Sequence, residues 1–318
     1  MTLQQITERT YYLPGSNNLG VVATGDGGAI AIDTGLDKDT ARKFRKAIEA
    51  AGLELQAIIS THHHADHIGG NDYFVRNLPN LRVYAPVLEA TFIENPILEP
   101  IYLNYGASPF GALRTRWLMA KGAPVHHPFG TVDEIIAGAS FALDVLGVQF
   151  EMIGLSGHSM CQVGLLYDGV CFAADGYFGA SIIAKHGILY AHDIAQQLAT
   201  FERLTTCDAH WFLPGHGELS PRDEIGAVLA ANREATEQAT HLVLDALHEP
   251  GDDAAVTARV LRAMGQNGDT DGSIALTIPQ YAIFAGAVVA HLSYLEQQGK
   301  VGVSLDASGL IWQRKDRA

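Results

Sequence analysis

The stretch Ser60-Thr61-His62-His63-His64-Ala65-Asp66-His67-Ile68-Gly69-Gly70, "STHHHADHIGG", sets four histidines and an aspartate within six consecutive positions. It begins at the end of "LQAIIS" (residues 55–60), a compact apolar run that reads as a buried strand. Open α/β sheets place their sites at such C-terminal strand ends. Side chains alternate along an extended chain, so His62 and His64 can share one side while His63 points away, as a bystander. Asp66 and His67 follow a turn at small Ala65, and Gly69-Gly70 are expected to let the backbone run close to whatever is bound. Three imidazoles and a carboxylate from one loop suit zinc, while iron and manganese use the same donors.

One loop cannot complete two metal shells, so further ligands are expected at other strand ends. Three candidates stand there: His158 in "GLSGHSMCQVG", Asp175 closing "VCFAAD", and His216 in "FLPGHGE". In this order the motifs resemble the metallo-β-lactamase superfamily, with HxHxDH first, then Gly-His-Ser/Thr, an Asp after a strand, and a final Pro-Gly-His. The resemblance covers about residues 8 to 217. It implies an α/β fold, the αββα four-layer sandwich, and a dinuclear centre for two divalent metal ions, zinc foremost. It also implies that His62, His64 and His158 hold one ion, that Asp66, His67 and His216 hold the other, and that Asp175 bridges them. Asp33 in "AIDTG" matches a family aspartate that steadies the metal loop without binding metal. Where the family commonly reads GHTPGHxxG, this chain has Gly157-His158-Ser159-Met160-Cys161-Gln162-Val163-Gly164, so the hydroxyl is kept and the wall is bulkier. Cys161 is expected to fill space as a buried thiol. His210, His241, His248 and His291 are expected to be structural.

Outward from the loop, "TYYLPG", "NLGVVATG" and "GGAIAIDTG" read as strands joined by tight turns. Asp37 is expected to cap a helix whose apolar stripe is Ala41, Phe44, Ile48 and Ala51. After "LRVYAP", residues 86–130 form a long aromatic-rich segment, either a lid or substrate wall or a helical insertion packed on the core. Strands return at "FALDVL", "VQFEMIGL", "QVGLLYDG" and "VCFAAD", followed by the helix "DIAQQLATFERL" and the strand "AHWFLPGHG". These features divide the chain into a catalytic region, 1–217, and a helical C-terminal extension, 218–318, that ends in a helix and a hairpin around Ala307-Ser308-Gly309 and is winged-helix-like.

The 318 residues need neither disulfides nor metal merely to fold, so ligands here point to chemistry. Cys161, Cys171 and Cys207 form no CxxC pair, the N-terminus lacks a basic-then-apolar secretory pattern, and a reducing, cytoplasmic setting is expected. The run without Asp, Glu, Lys or Arg from Gly272 to Leu295 is interrupted by Thr277, Pro279, Gln280 and His291, which suits a buried helix better than a membrane span. A net charge of −14 disfavours nucleic acid, and residues 250–318 are not basic either, with six Lys/Arg against seven Asp/Glu. That unit is expected to brace the lid or a homodimer interface.

A hydroxide held between two divalent ions is a nucleophile at neutral pH, since coordination lowers the water pKa from about 15.7 to about 7. Asp66 is the candidate to orient it and take its proton, as in the relatives. Tyr177, just after Asp175, is the candidate donor to a developing oxyanion. The expected substrate is a small-molecule ester, thioester or lactone, as in the glyoxalase II and lactonase branch. A phosphodiesterase or ribonuclease of the same superfamily, and a mononuclear-iron persulfide dioxygenase, remain the alternatives.

Overall fold

In the computed structural model, residues 2–265, 276–307 and 309–315 are described. The chain opens as an antiparallel meander, β1 (Gln4–Gln5), β2 (Thr10–Leu13), β3 (Leu19–Ala23) and β4 (Gly28–Ile32). Every residue of "GAIAI" in β4 is buried, as a strand covered on both faces requires. Helix α1 (Lys38–Ala50) begins where the Asp37 carboxylate accepts the Thr40 backbone N–H, and it buries Ala41, Phe44, Ala47 and Ile48. Ala51, placed on that stripe from the sequence, is instead the exposed C-cap, and Ala47 takes its place. The crossover returns to β5 (Glu54–Ile59), parallel to β4. After α2 (Ala65–Ile68) and α3 (Asn71–Asn77) comes β6 (Arg82–Pro86), then α4 (Val87–Glu94), α5 (Leu98–Tyr102) and β7 (His127–Phe129), which closes the seven-stranded sheet in sequence order.

The second sheet runs β13-β12-β11-β10-β9-β8, from β8 (Ser140–Val145), β9 (Val148–Gly154), β10 (Val163–Tyr167), β11 (Val170–Phe178), β12 (Trp211–His216) and β13 (Ser220–Pro221). Helix α6 (Val132–Ile136) precedes it, and α7 (Ala180–His186) and α8 (Ile194–Thr206) fill the parallel crossover from β11 to β12. Parallel pairing brings the C-terminal ends of β11 and β12 together, with Phe178 opposite His216. Asp175 lies within β11, at an irregularity where the register shifts and Ala174 takes φ of 47°.

Three apolar clusters fill the spaces of a four-layer αββα arrangement. Phe44, Ile48 and Phe74 of α1 and α3 pack on the first sheet; Ile30, Ile59, Phe150 and Phe172 meet between the sheets; Phe201, Leu204 and Leu229 cover the second. Leu229 belongs to α9 (Arg222–Asp245), and β13 extends the second sheet to Pro221, so the expected division at residue 217 falls inside this layer.

A fourth cluster joins α9 to α10 (Asp253–Ala263), α11 (Ile278–Gln297) and a hairpin of β14 (Val301–Asp306) and β15 (Gly309–Arg314). The hairpin follows the last helix as expected, while Ser308 at its turn lies outside the described residues. Helix α11 is long and apolar enough to cross a membrane by length and composition, yet its Val288, Leu292 and Leu295 are buried in this cluster.

His291 of α11 is 1% exposed and donates from Nδ1 to Thr240 Oγ1 at 2.9 Å, since that hydroxyl itself donates to Thr236 O. Burial pulls its pKa down to about 4 from an unfolded value near 6.5. The unfolded chain therefore binds more protons between these values, and stability, complete above about pH 6.5, falls as pH drops toward 4. The shift corresponds to roughly 3 kcal/mol. Denaturant unfolding at pH 7 and pH 5 is expected to show a smaller loss in His291→Gln than in the parent; equal losses would exclude His291 as a source.

Candidate metal centre

Asp33, at the end of β4, adopts φ of 60° and turns its carboxylate under the histidine loop. It accepts Thr61 N–H and Thr61 Oγ1–H, both at 2.8 Å, and faces His67 Nδ1 at 2.8 Å. Gly69 and Gly70 serve this same junction. A Cβ on Gly69 would lie 1.8 Å from Leu36 O, and one on Gly70 2.6 Å from Thr34 O. The close approach predicted at these glycines is thus to the segment after β4, because that is the backbone they pack against, and not to a bound group.

The hydrogen bonds around the imidazoles fix which nitrogen is free. Thr61 Oγ1 gives its proton to Asp33, so it accepts from His62 Nδ1 at 3.0 Å, and His62 Nε2 is left buried with no partner. His67 donates from Nδ1 to Asp33, His158 from Nδ1 to Tyr190 O at 2.9 Å, and His216 from Nδ1 to Ser16 O at 2.7 Å. Each of the four then turns Nε2 inward, the arrangement by which outer partners orient metal-binding histidines. His64 completes the set with Nδ1 only 2.8 Å from His158 Nε2.

Ligand atoms of His62, His64 and His158 lie within 4.8 Å of one another, and so do those of Asp66, His67 and His216. Asp175 stands between the two groups, Oδ1 facing His67 Nε2 at 3.3 Å and Oδ2 facing His158 Nε2 at 3.3 Å and His216 Nε2 at 3.6 Å. Asp33 groups with His62 and His67 by distance as well, but its oxygens are already engaged by Thr61 and His67, which makes it an anchor. Converging nitrogen lone pairs with two carboxylates, and the partnerless His62 Nε2, fit a pair of divalent cations. Burial, then the neighbouring imidazoles, hold His62 and His64 well below the usual histidine range, so both present neutral nitrogens. Gly215 makes room behind the centre: a Cβ there would lie 2.2 Å from Asp175 Oδ1.

Several residues around the centre carry no sequence motif. Asn17 Nδ2 donates to Asp66 Oδ2 at 3.0 Å and reaches His216 Nε2 at 3.2 Å. His63 is buried and far from idle. Its Nδ1 pairs with Glu89 Oε2, its N–H donates to the same oxygen at 3.0 Å, and its ring stacks on Phe92 at 4.4 Å between centroids. Glu89 Oε1 in turn accepts Ser159 Oγ at 2.5 Å and Cys161 N–H at 2.7 Å. Glu89 on α4 thereby ties the loop after β5 to the loop after β9. Cys161 is a buried space-filler, and burial pushes its thiol up to about 12.

A cavity of about 170 Å³ opens on the centre, with His64, Asp66, His158 and Asp175 on one side and Glu99, Tyr102, Leu103, Trp117, Tyr190 and Ile283 on the other. The segment 86–130, helical over α4 and α5 and largely irregular from there to β7, thus supplies Glu99, Tyr102, Leu103 and Trp117 to the wall. Tyr177 does not reach it. That side chain is fully buried against the second sheet and donates its hydroxyl to Phe212 O at 3.0 Å, because the register shift between Ala174 and Phe178 breaks the alternation that would otherwise set residues 175 and 177 on one face. Tyr190 lines the cavity, whereas Lys185, His186 and His192 are exposed.

The family model for the metallo-beta-lactamase superfamily matches residues 12–216. The chain is 24% identical over 229 residues to a hydroxyacylglutathione hydrolase of Xanthomonas axonopodis pv. citri, covering 71% of this chain and 73% of the relative. It is 29% identical over 145 residues to one of Vibrio campbellii, where 46% of this chain covers only 42% of the relative. In fold it is similar to a beta-lactamase domain protein from Burkholderia ambifaria, with a TM-score of 0.71, 18% identity and coverage of 98% and 93%. A metallo-beta-lactamase family protein from Thermus thermophilus gives 0.70, 19%, and coverage of 97% and 99%.

Proposed function

The chain belongs to the metallo-β-lactamase superfamily, and we propose from this premise that it is a hydrolase working with two divalent metal ions on a small ester, thioester or lactone. The observation that carries the reading is the pair of ligand groups, His62-His64-His158 and Asp66-His67-His216, with one oxygen of Asp175 turned to each. A single-iron dioxygenase would leave the second group without a task. A ribonuclease would need to neutralise phosphates along a strand, which a net charge of −14 opposes.

When bound, two divalent ions supply Lewis acidity and lower the pKa of water from about 15.7 to about 7. The chain's own groups do the rest. Burial opposes charge on Asp66, but His67 and His216 outweigh it and hold the carboxyl well below its usual range. Asn17 engages Oδ2, leaving Oδ1 to orient a nucleophile and receive its proton. Burial pushes Tyr190 up to about 12, so its hydroxyl stays protonated and can donate to a carbonyl oxygen that gains charge, the role Tyr177 cannot fill. Tyr102, Trp117 and Ile283 shield the reacting carbonyl from bulk water.

Metal content and turnover test this directly. The zinc-loaded chain is expected to hold about two ions and to cleave members of a panel of aryl esters, lactones and thioesters, a hydroxyacylglutathione among them. Chelation should abolish turnover and zinc restore it. Cleavage of phosphodiesters alone, or one iron with oxygen consumption, would overturn the reading.

A further inference from the structure

Helix α5 presents Glu99 to the cavity from the wall opposite the ligand side chains. The residue is 6% exposed, and among the described residues its carboxyl has no hydrogen-bond partner. A cavity-facing carboxyl with no protein partner is free to take a ligand's polar group. Burial, opposed only in part by His63, pushes its pKa up to about 8. Around it are Tyr102 and Tyr190 and the apolar Leu103, Trp117 and Ile283. No Lys or Arg is among the described residues lining the cavity. Its volume of about 170 Å³ lies below the roughly 300–1,000 Å³ usual for ligand pockets.

We propose, resting on the hydrolase reading above, that Glu99 is a specificity-determining residue: its carboxyl takes up a hydroxyl or amide N–H of a small, uncharged acyl substrate and rejects acyl groups that carry a carboxylate. An anionic group brought to this wall meets a carboxyl and three aromatic rings with no cationic side chain to offset it. The positive charge of bound metal ions is already reduced by Asp66 and Asp175. An uncharged group with a donor, by contrast, satisfies the Glu99 carboxyl while its carbon skeleton packs on Leu103, Trp117 and Ile283.

The test, run at pH 9 where the Glu99 carboxyl is ionised, compares two amides of matched shape, N-methylbutyramide and the anion N-methylsuccinamate, bound to the zinc-loaded chain and followed by calorimetry. In parallel, kcat/KM is measured on 4-nitrophenyl butanoate and 4-nitrophenyl hemisuccinate. The parent is expected to prefer the neutral member of each pair at least tenfold. Glu99→Gln, which removes the ionisable group at constant shape, should narrow both ratios about tenfold, and Glu99→Asp should keep them. Equal binding of the two amides by the parent, or ratios unchanged in Glu99→Gln, would overturn the proposal. Binding is read on amides that need not be cleaved, so a chain that discriminates between them but hydrolyses neither ester defeats the hydrolase reading and leaves the role of Glu99 standing.

Discussion

Replacing Asp175 by alanine is expected to lower ester hydrolysis by at least about 10³-fold, or about 4 kcal/mol of transition-state stabilisation. Asp175 is 3% exposed, and its two oxygens face His67 on one side and His158 and His216 on the other. Its loss leaves two neutral or cationic imidazole groups opposed with no negative charge between them. Metal content should fall from about two ions per chain to one or fewer. His64→Ala should act in the same direction by a different route. It removes Nδ1, which lies 2.8 Å from His158 Nε2, and so opens the first ligand group while leaving Asp66, His67 and His216 in place. One ion should then be retained with little turnover. Near-parental turnover in either variant, measured with metal content on the same sample, would sink the two-metal mechanism.

The sequence exposed the candidate ligands because each breaks an apolar run with His or Asp, at or just past a strand end for all but Asp175, which stands inside β11. Those breaks are one-dimensional signals, and parallel pairing of β11 with β12 and of β4 with β5 then gathers them at one edge. The substrate wall was hidden because its partners are far apart in the chain. Glu89 is 70 residues from Ser159, and little that is local distinguishes it from a surface glutamate. A weak clue was present: α4 is "VLEATFIE", too apolar around Glu89 to be a solvent face. Tyr177 failed for the opposite reason. Its place two residues after Asp175 invited a role, but the register irregularity at Ala174 and the strand's continuation to Phe178 direct the ring into the core beneath Leu204 and Phe212. Alternation set His63 apart from the candidate ligands, yet alternation alone gave it no partner, and the partner, Glu89, comes from the segment whose role was left open.

That partnership predicts the largest stability effect in the chain. Glu89 is 1% exposed and accepts four hydrogen bonds, two from His63 and one each from Ser159 and Cys161. Burial alone pulls His63 down, but the Glu89 charge more than offsets this and raises it, so the two form a buried ion pair. Glu89→Ala leaves the His63 imidazole and the Cys161 N–H facing an empty volume, and breaking such a pair from one side costs about 3–5 kcal/mol. Thermal unfolding should drop by roughly 6–20 °C. Zinc affinity should also fall about 10–100-fold, because the loops carrying His62 and His158 lose their common tie. Glu89→Gln keeps the volume and the Cys161 contact and should lose less. The double variant Glu89→Leu with His63→Phe replaces both charges by apolar groups and should recover most of the unfolding temperature, since neither is then left buried and unpaired. Recovery of stability without recovery of zinc affinity would separate the clamp's two tasks, holding the fold and aligning the ligand loops. An unfolding temperature within about 2 °C of the parent in Glu89→Ala would show that the loops after β5 and β9 are held together without it.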